Sequence, residues 1–426
     1  MFPIQRIKKL ALLIVVTAIG VAGCTLSDYA RLSISQSITK PEWENASHVT
    51  QVPFKLIDHK ILIPISVNGS KPLDFVLDTG SPVTVVVESH TTKNLELNPK
   101  GNISVGGLGD DGDSTAGFLH NSTIKVGELS IGDKSLIHIP LTSLPFFDDL
   151  DEVFFDGIVG YDLLDNFVLK IDYDSSIITL YERKRFDQSE YVSNGWFSVP
   201  LEIAGAVPYI QSDIQLSEDT APIKLTLHLD TGANGAIALA PRAHEEIRFP
   251  STYYSSTSQG LSGSLKNRNG LVTKTRLGDV EFTNLLGSFS DSAITDQHKH
   301  QGAIGNELFS KFNVVFDYQG KQMLLKKNHR FELPIEPDRS GLGLLTHKKG
   351  YIVKRINDDS SAAKSSLTKG DIITSFDGTP ATPENIETLR LALSSKQESL
   401  DLCWLNQTEE KCDSFLLEDR MKLHDE

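Results

Sequence analysis

Two short runs in this chain, Asp78-Thr79-Gly80-Ser81 and Asp230-Thr231-Gly232-Ala233, set a carboxylate, a hydroxyl and a glycine in the same order. Each run follows an apolar stretch, Leu73 to Leu77 or Leu225 to Leu229, and precedes another, Val83 to Val87 or Ala236 to Leu239. A glycine directly after the hydroxyl residue lets the backbone turn tightly and come close to its neighbours. Two carboxyl groups brought side by side supply a base and an acid together: one takes a proton from water while the other gives one to a carbonyl oxygen. Like charges about 3 Å apart do not both ionise readily, so such a pair shares one proton and titrates in two separated steps.

The elements that must position these runs repeat along the chain. Residues around 50 to 182 and 197 to 327 pass through the same series of signals. Val52-Pro53-Phe54-Lys55-Leu56 opens one copy and Val199-Pro200-Leu201-Glu202-Ile203 the other. About 75 residues after each Asp-Thr-Gly, Gly157-Ile158-Val159-Gly160 and Gly302-Ala303-Ile304-Gly305 head matching segments. Phe167 and Phe312, and Asp172-Tyr173 and Asp317-Tyr318, follow at a constant offset of 145. Short alternating runs broken by Gly and Asn turns make both copies mainly β. One short helix per copy is expected after the second glycine, near Asp162 to Asn166 and Glu307 to Lys311. The Gly-rich polar stretches Val105 to Phe118 and Ser258 to Thr275 read as hairpins arching over a cleft, the kind of loop that carries function on a rigid scaffold. A charged linker near Glu182 to Ser193 separates the copies, and Pro334 to Asp338 ends the second.

Paired Asp-Thr-Gly runs, each trailed by Gly-hydrophobic-hydrophobic-Gly, resemble those of the aspartic peptidases, specifically the bacterial retropepsin-like proteins that carry a C-terminal PDZ domain. The resemblance covers nearly all of the chain after its leader. It implies a mainly β, bilobal aspartic-protease fold made of two retropepsin-like repeats, with a small α+β PDZ-like domain. Asp78 and Asp230 match the family's catalytic positions. Thr79 and Thr231 match the paired threonines that bond across to the opposite loop and hold the carboxylates coplanar, with Gly80 and Gly232 beside them. Ser81 is placed to bond the outer oxygen of Asp78, whereas Ala233 has no hydroxyl to do the same for Asp230, so the two sites are expected to be unequal. Neither hairpin carries the Tyr of pepsin-like flaps; Gly106, Gly107 and Gly109 suit a mobile lid.

From about Ser340 the pattern changes. Gly341-Leu342-Gly343-Leu344, a strand from Tyr351 to Ile356, Ser360-Ser361-Ala362-Ala363, Lys369-Gly370-Asp371-Ile372-Ile373 and a helix from Pro383 to Leu393 are similar in order to a bacterial PDZ domain. Such domains add a chain terminus as an extra strand, with loop N–H groups holding its carboxylate. Leu342, Gly343 and Leu344 match that loop. The last strands are expected at Leu400 to Leu405 and Ser414 to Leu417; if Cys403 to Asn406 and Glu409 to Cys412 form the arms of a two-residue hairpin, Cys403 and Cys412 sit opposite one another, where a disulfide fits geometrically.

At the other end, Arg6, Lys8 and Lys9 precede an apolar run from Leu10 to Ala22, which reads as a secretory signal. Val21-Ala22-Gly23-Cys24 resembles the bacterial lipobox, implying lipidation at Cys24, and Thr25 favours an outer-membrane destination facing the periplasm. A plain signal anchor is the alternative. The resulting expectation is a signal peptide at 1–23, a linker at 24–48, protease lobes at 49–190 and 191–335, and the PDZ-like domain at 336–426. The 426-residue chain is 39% apolar and 23% charged, which is globular rather than disordered. Its net charge of −15 becomes −18 without the three basic residues of the leader, which argues against nucleic acid as a partner.

Other clusters carry less. Asp110, Asp111 and Asp113 around Gly112 lack the ligand pattern of a calcium loop and read as a solvated hairpin tip. His298 and His300 lack partners in metal-site spacing, and His228, two residues before Asp230, reads as a packed strand histidine. No metal or other cofactor is expected. The expected function is an endopeptidase of the cell envelope acting on peptides or proteins, monomeric with both aspartates in one chain. Lobes pairing across a homodimer, and an inactive adaptor binding protein C-termini through the PDZ groove, are the alternatives.

Overall fold

A computed structural model describes residues 24–37, 40–107, 109, 112–290, 300–406 and 409–424. Strict alternation in Lys60–Val67 sends Ile61, Ile63, Ile65 and Val67 into one core and turns Leu62 to a second apolar cluster on the opposite face. The same two-sided use of strands recurs throughout, and the chain is mainly β.

Six strands of the first copy close on themselves. Lys60–Val67 pairs with Leu73–Leu77, which runs parallel to Gly157–Val159; next come Val85–Val87, the parallel Leu129–Ile139, and Ser114–Val126, which returns to the first strand. The second copy forms the same ring. Val207–Gln215 pairs with Ile223–Asp230, then Gly302–Gly305, Ile237–Leu239, Val280–Phe289 and Gly263–Leu277, which comes back to Val207–Gln215. Parallel and antiparallel steps fall at equivalent places, as repeated apolar patterning requires.

A six-stranded sheet joins the copies. At its centre Phe167–Asp172 pairs antiparallel with Phe312–Asp317, Lys170 opposite Val315. Every residue of Phe312–Asp317 is buried. The C-terminal sheet runs in the order Leu342–His347, Gly350–Ile356, Ile372–Phe376, Ser399–Asn406, Glu409–Leu416. Its helix Ile386–Leu393 buries Ile386, Leu389 and Leu393 on one stripe. That core continues without a break into the outer face of the first ring through Ile57, Leu62 and Val76.

The structure redraws several expected boundaries. The segment expected as a linker contains a helix: Cys24–Ser37 is helical with Leu32 buried, Asp28 contacting His120 at 3.0 Å and Tyr29 edge-on to Phe118. Pro41–Trp43 then pairs with the Leu129–Ile139 strand. The short helices begin one residue early, at Tyr161–Leu164 and Asn306–Phe309. The C-terminal helix starts at Ile386, after a tighter turn at Pro383–Asn385. The chain's last strand, Lys422–Leu423, leaves the C-terminal sheet and pairs with Thr252–Gly260 of the second copy.

Candidate active site

Each Asp-Thr-Gly run leaves its strand beside a glycine-bounded neighbour. Asp78 N–H donates to Val159 O at 3.1 Å, and Tyr161 N–H to Ser81 O at 2.8 Å. In the second copy Asn306 N–H donates to Ala233 O at 2.8 Å. A side chain at Gly160 would come within 2.6 Å of Ser81 O and Val83 O, so only glycine lets this strand pass the loop.

The two loops lock together through their threonines. Thr79 Oγ1 donates to Leu229 O at 2.7 Å and accepts from Thr231 N–H at 3.0 Å. Thr231 Oγ1 donates to Leu77 O at 2.8 Å and accepts from Thr79 N–H at 3.0 Å. Both threonines are fully buried, so all four polar groups are satisfied by the opposite loop alone. Asp78 Oδ1 accepts from Gly80 N–H at 2.7 Å and Ser81 N–H at 3.1 Å. Asp230 Oδ1 accepts from Gly232 N–H at 2.8 Å and Ala233 N–H at 3.0 Å.

The carboxyl groups meet across this lock. Burial, then the negative charge of Asp230 and a hydrogen bond with it, raise the Asp78 carboxyl from 3.8 to about 8; the Gly80 N–H and the Lys60 ammonium pull the other way. The pair thereby holds one proton at neutral pH. The expectation for Ser81 needs correction. Its hydroxyl donates to Val83 O at 2.8 Å, closing its own turn, and only its backbone N–H serves Asp78.

Lys60 was not among the residues picked from sequence. Its Nζ donates to Gly232 O and to Asn234 Oδ1, both at 2.6 Å, reaching from the first copy into the second loop. The pairing Leu62–Val76, carried two residues further, puts Lys60 opposite Asp78; Tyr209–His228 likewise puts Val207 opposite Asp230. A lysine answered by a valine at the equivalent place in the other copy is the signal that would have found it. The expected hairpins have longer arms, Lys100–Val105 with Ser114–Val126 and Thr252–Gly260 with Gly263–Leu277. Their tips bond to each other: Gly107 N–H donates to Ser262 Oγ at 2.9 Å and Ser114 Oγ to Leu261 O at 3.3 Å.

Away from the dyad, Leu342, Gly343 and Leu344 begin the edge strand of the C-terminal sheet. Leu342 N–H already donates to Ser340 Oγ at 3.1 Å, and the carboxylate of Asp338 takes the N–H of Gly341 at 2.9 Å. Cys403 and Cys412 face each other in register, Cα atoms 4.0 Å apart, and are joined by a disulfide. Cys24 opens the first helix, and residues 1–23, read above as a signal peptide, lie outside the described residues. His228 and His300 pack with Tyr209 in a ring cluster, centroids 5.4–5.7 Å apart. Asp110, Asp111 and His298 lie outside the described residues; among those described, no group of three or more His, Cys, Asp or Glu is arranged to hold a metal.

Residues 63–163, which include the first Asp-Thr-Gly, match the model of a family described as aspartyl protease. Among solved structures, the chain is similar to an aspartic proteinase from Irpex lacteus at 13% identity, with a TM-score of 0.42, over 67% of this chain and 99% of that one. No curated protein matches it.

Proposed function

We propose that the chain is an aspartic endopeptidase whose dyad, Asp78 and Asp230, is assembled within one polypeptide. The observation that carries this reading is the reciprocal threonine lock, which holds two carboxyl groups together with one of them raised to about 8. In the proposed reaction Asp230 serves as the base and takes a proton from water as the oxygen attacks the scissile carbonyl. Asp78, protonated, donates to the carbonyl oxygen, giving a neutral tetrahedral diol. Its collapse returns a proton to the leaving amine. The touching hairpin tips are proposed as the lid over an extended peptide, opening to admit it. Lipidation at Cys24 would hold the enzyme on the bacterial envelope facing the periplasm, and among the described residues no helix is long and apolar enough to cross a membrane. The C-terminal module is read as PDZ-like.

The test is a digest of a mixed peptide library by the purified mature chain, with pepstatin as control. Asp78→Asn and Asp230→Asn should each reduce cleavage at least about 10³-fold, and the double variant no further, because residues acting as a unit are non-additive. A single variant that keeps substantial activity sinks the shared-dyad reading. Release of Cys24→Ser from the membrane fraction tests the anchor separately.

A further inference from the structure

The turn that presents Lys60 is held from outside its own ring. Ile57-Asp58-His59-Lys60 is a two-residue hairpin with both central residues in the left-handed region, Asp58 at φ 52° and His59 at φ 57°. The matching turn of the second copy, Ala204-Gly205-Ala206-Val207, has the same form but a glycine at its first central position. The first turn is strapped on two sides. Arg390, on the helix of the C-terminal module, forms an ion pair with buried Asp58. On the same helix Glu387 accepts from His59 N–H, and its Oε2 lies 3.3 Å from the ring Nε2. From the second copy, Asn306 Nδ2 donates to His59 O at 2.6 Å.

Arg390 also donates to Leu344 O at 3.4 Å, and its helix is seated by Ile386, Leu389 and Leu393. A continuous chain of contacts therefore runs from the C-terminal module through Asp58 and His59 to Lys60, and from Lys60 to the loop that carries Asp230.

We propose that Lys60 is a positioning residue of the dyad, fixing the second Asp-Thr-Gly loop, and that the helix Ile386–Leu393 holds it there, which makes the C-terminal module a working part of the catalytic centre. The proposal rests on the peptidase reading for its consequence in turnover, but the placement can be measured without it. The charged and titratable groups around Asp78 are Asp230, Lys60 and the Tyr318 phenol. Those around the turn are Asp58, His59, Glu387, Arg390, Glu307 and Lys311.

The experiment follows the side-chain carboxyl of Asp78 by carbon-13 NMR titration of the full mature chain, assigned through Asp78→Asn, alongside steady-state cleavage. Lys60→Met should move the Asp78 midpoint up by about one unit, since a nearby cation favours the ionised form. It should also lower kcat about tenfold or more while KM stays within about threefold, as for an interaction made in the transition state. Lys60→Arg should restore both. Breaking the strap with Asp58→Asn/Arg390→Gln, which leaves no unpaired buried charge, should shift the midpoint in the same direction with Lys60 still present. Glu387→Gln provides a second, milder break. An unmoved midpoint in Lys60→Met overturns the role of Lys60, and wild-type behaviour in both strap variants overturns that of the module. If the midpoints move as expected while the wild type cleaves nothing, the peptidase reading falls and the placement of Lys60 stands.

Discussion

Gly232 stands so close to Asp78 that a Cβ at position 232 would lie 2.5 Å from Asp78 Cγ, and the relationship is returned by Gly80, whose Cβ would lie 2.8 Å from Asp230 Cγ. Each glycine thus serves the aspartate of the other loop. Gly80→Ala or Gly232→Ala must push a carboxyl out of place, and a displacement of about 1 Å costs roughly 10²-fold in rate. Overpacking should also destabilise the fold by about 1–3 kcal/mol. Gly235→Ala is the control, because a Cβ there meets nothing within 4 Å. Cleavage assays and thermal melts of the three variants check this, and a fully active Gly232→Ala contradicts the geometry.

Asp78 also makes stability depend on pH. Its folded value of about 8 lies above its ordinary 3.8, so the folded chain holds this proton more tightly than the unfolded one. The stabilisation is complete below about pH 4 and is lost as pH rises through about 8. Asn mimics the protonated acid and suffers no such loss. Melting temperatures of Asp78→Asn and wild type should coincide near pH 4 and separate in favour of the variant by about 2–6 °C at pH 9. Equal differences at every pH would place the Asp78 proton elsewhere.

In the proposed reaction the same proton sets the alkaline limb of activity. The reaction proposed above needs Asp78 protonated as general acid, so kcat/KM should hold through neutral pH and fall as pH rises through about 8. A fluorogenic peptide assayed across the range reads this directly. A limb about two units lower would mean that another group controls it.

Much of this site is legible in the sequence because local pattern and long-range order agree. Leu73–Leu77 is an apolar strand ending in a glycine turn, and the constant offset between Phe167 and Phe312 carries over to a sheet that pairs those two segments. What is not legible depends on contacts far apart in sequence. Ser81 stands three residues after Asp78 and two before Val83, and only the folded turn decides that Val83 O takes its hydroxyl. Lys60 reads as an ordinary polar residue at a hairpin, since its partners lie more than 170 positions away. The stretch 24–48 has no strong periodicity, and its helix is held by tertiary contacts of Leu32 and Asp28 rather than by its own pattern. The C-terminal strand Lys422–Leu423 is too short to read from alternation at all.

The repeat is also unequal behind the dyad, which gives a paired test. Tyr173 and Tyr318 occupy equivalent places after the central strands, and both are buried at 2% exposure. The Tyr173 hydroxyl donates to the amide oxygen of Asn306. The residue equivalent to Asn306 is Tyr161, which offers Tyr318 an edge-on ring at 5.3 Å, and among the described residues the Tyr318 hydroxyl has no hydrogen-bond partner. Removing a hydroxyl that is bonded leaves its partner stranded in the interior and costs about 1–3 kcal/mol; removing one without a partner relieves a buried polar group. Tyr173→Phe should therefore lower the melting temperature, and through Asn306, which bonds the turn carrying Lys60, it should also reduce kcat. Tyr318→Phe should melt at or above the wild-type temperature. Denaturant unfolding of both variants at one pH decides the matter: equal losses would show that the two tyrosines are bonded alike.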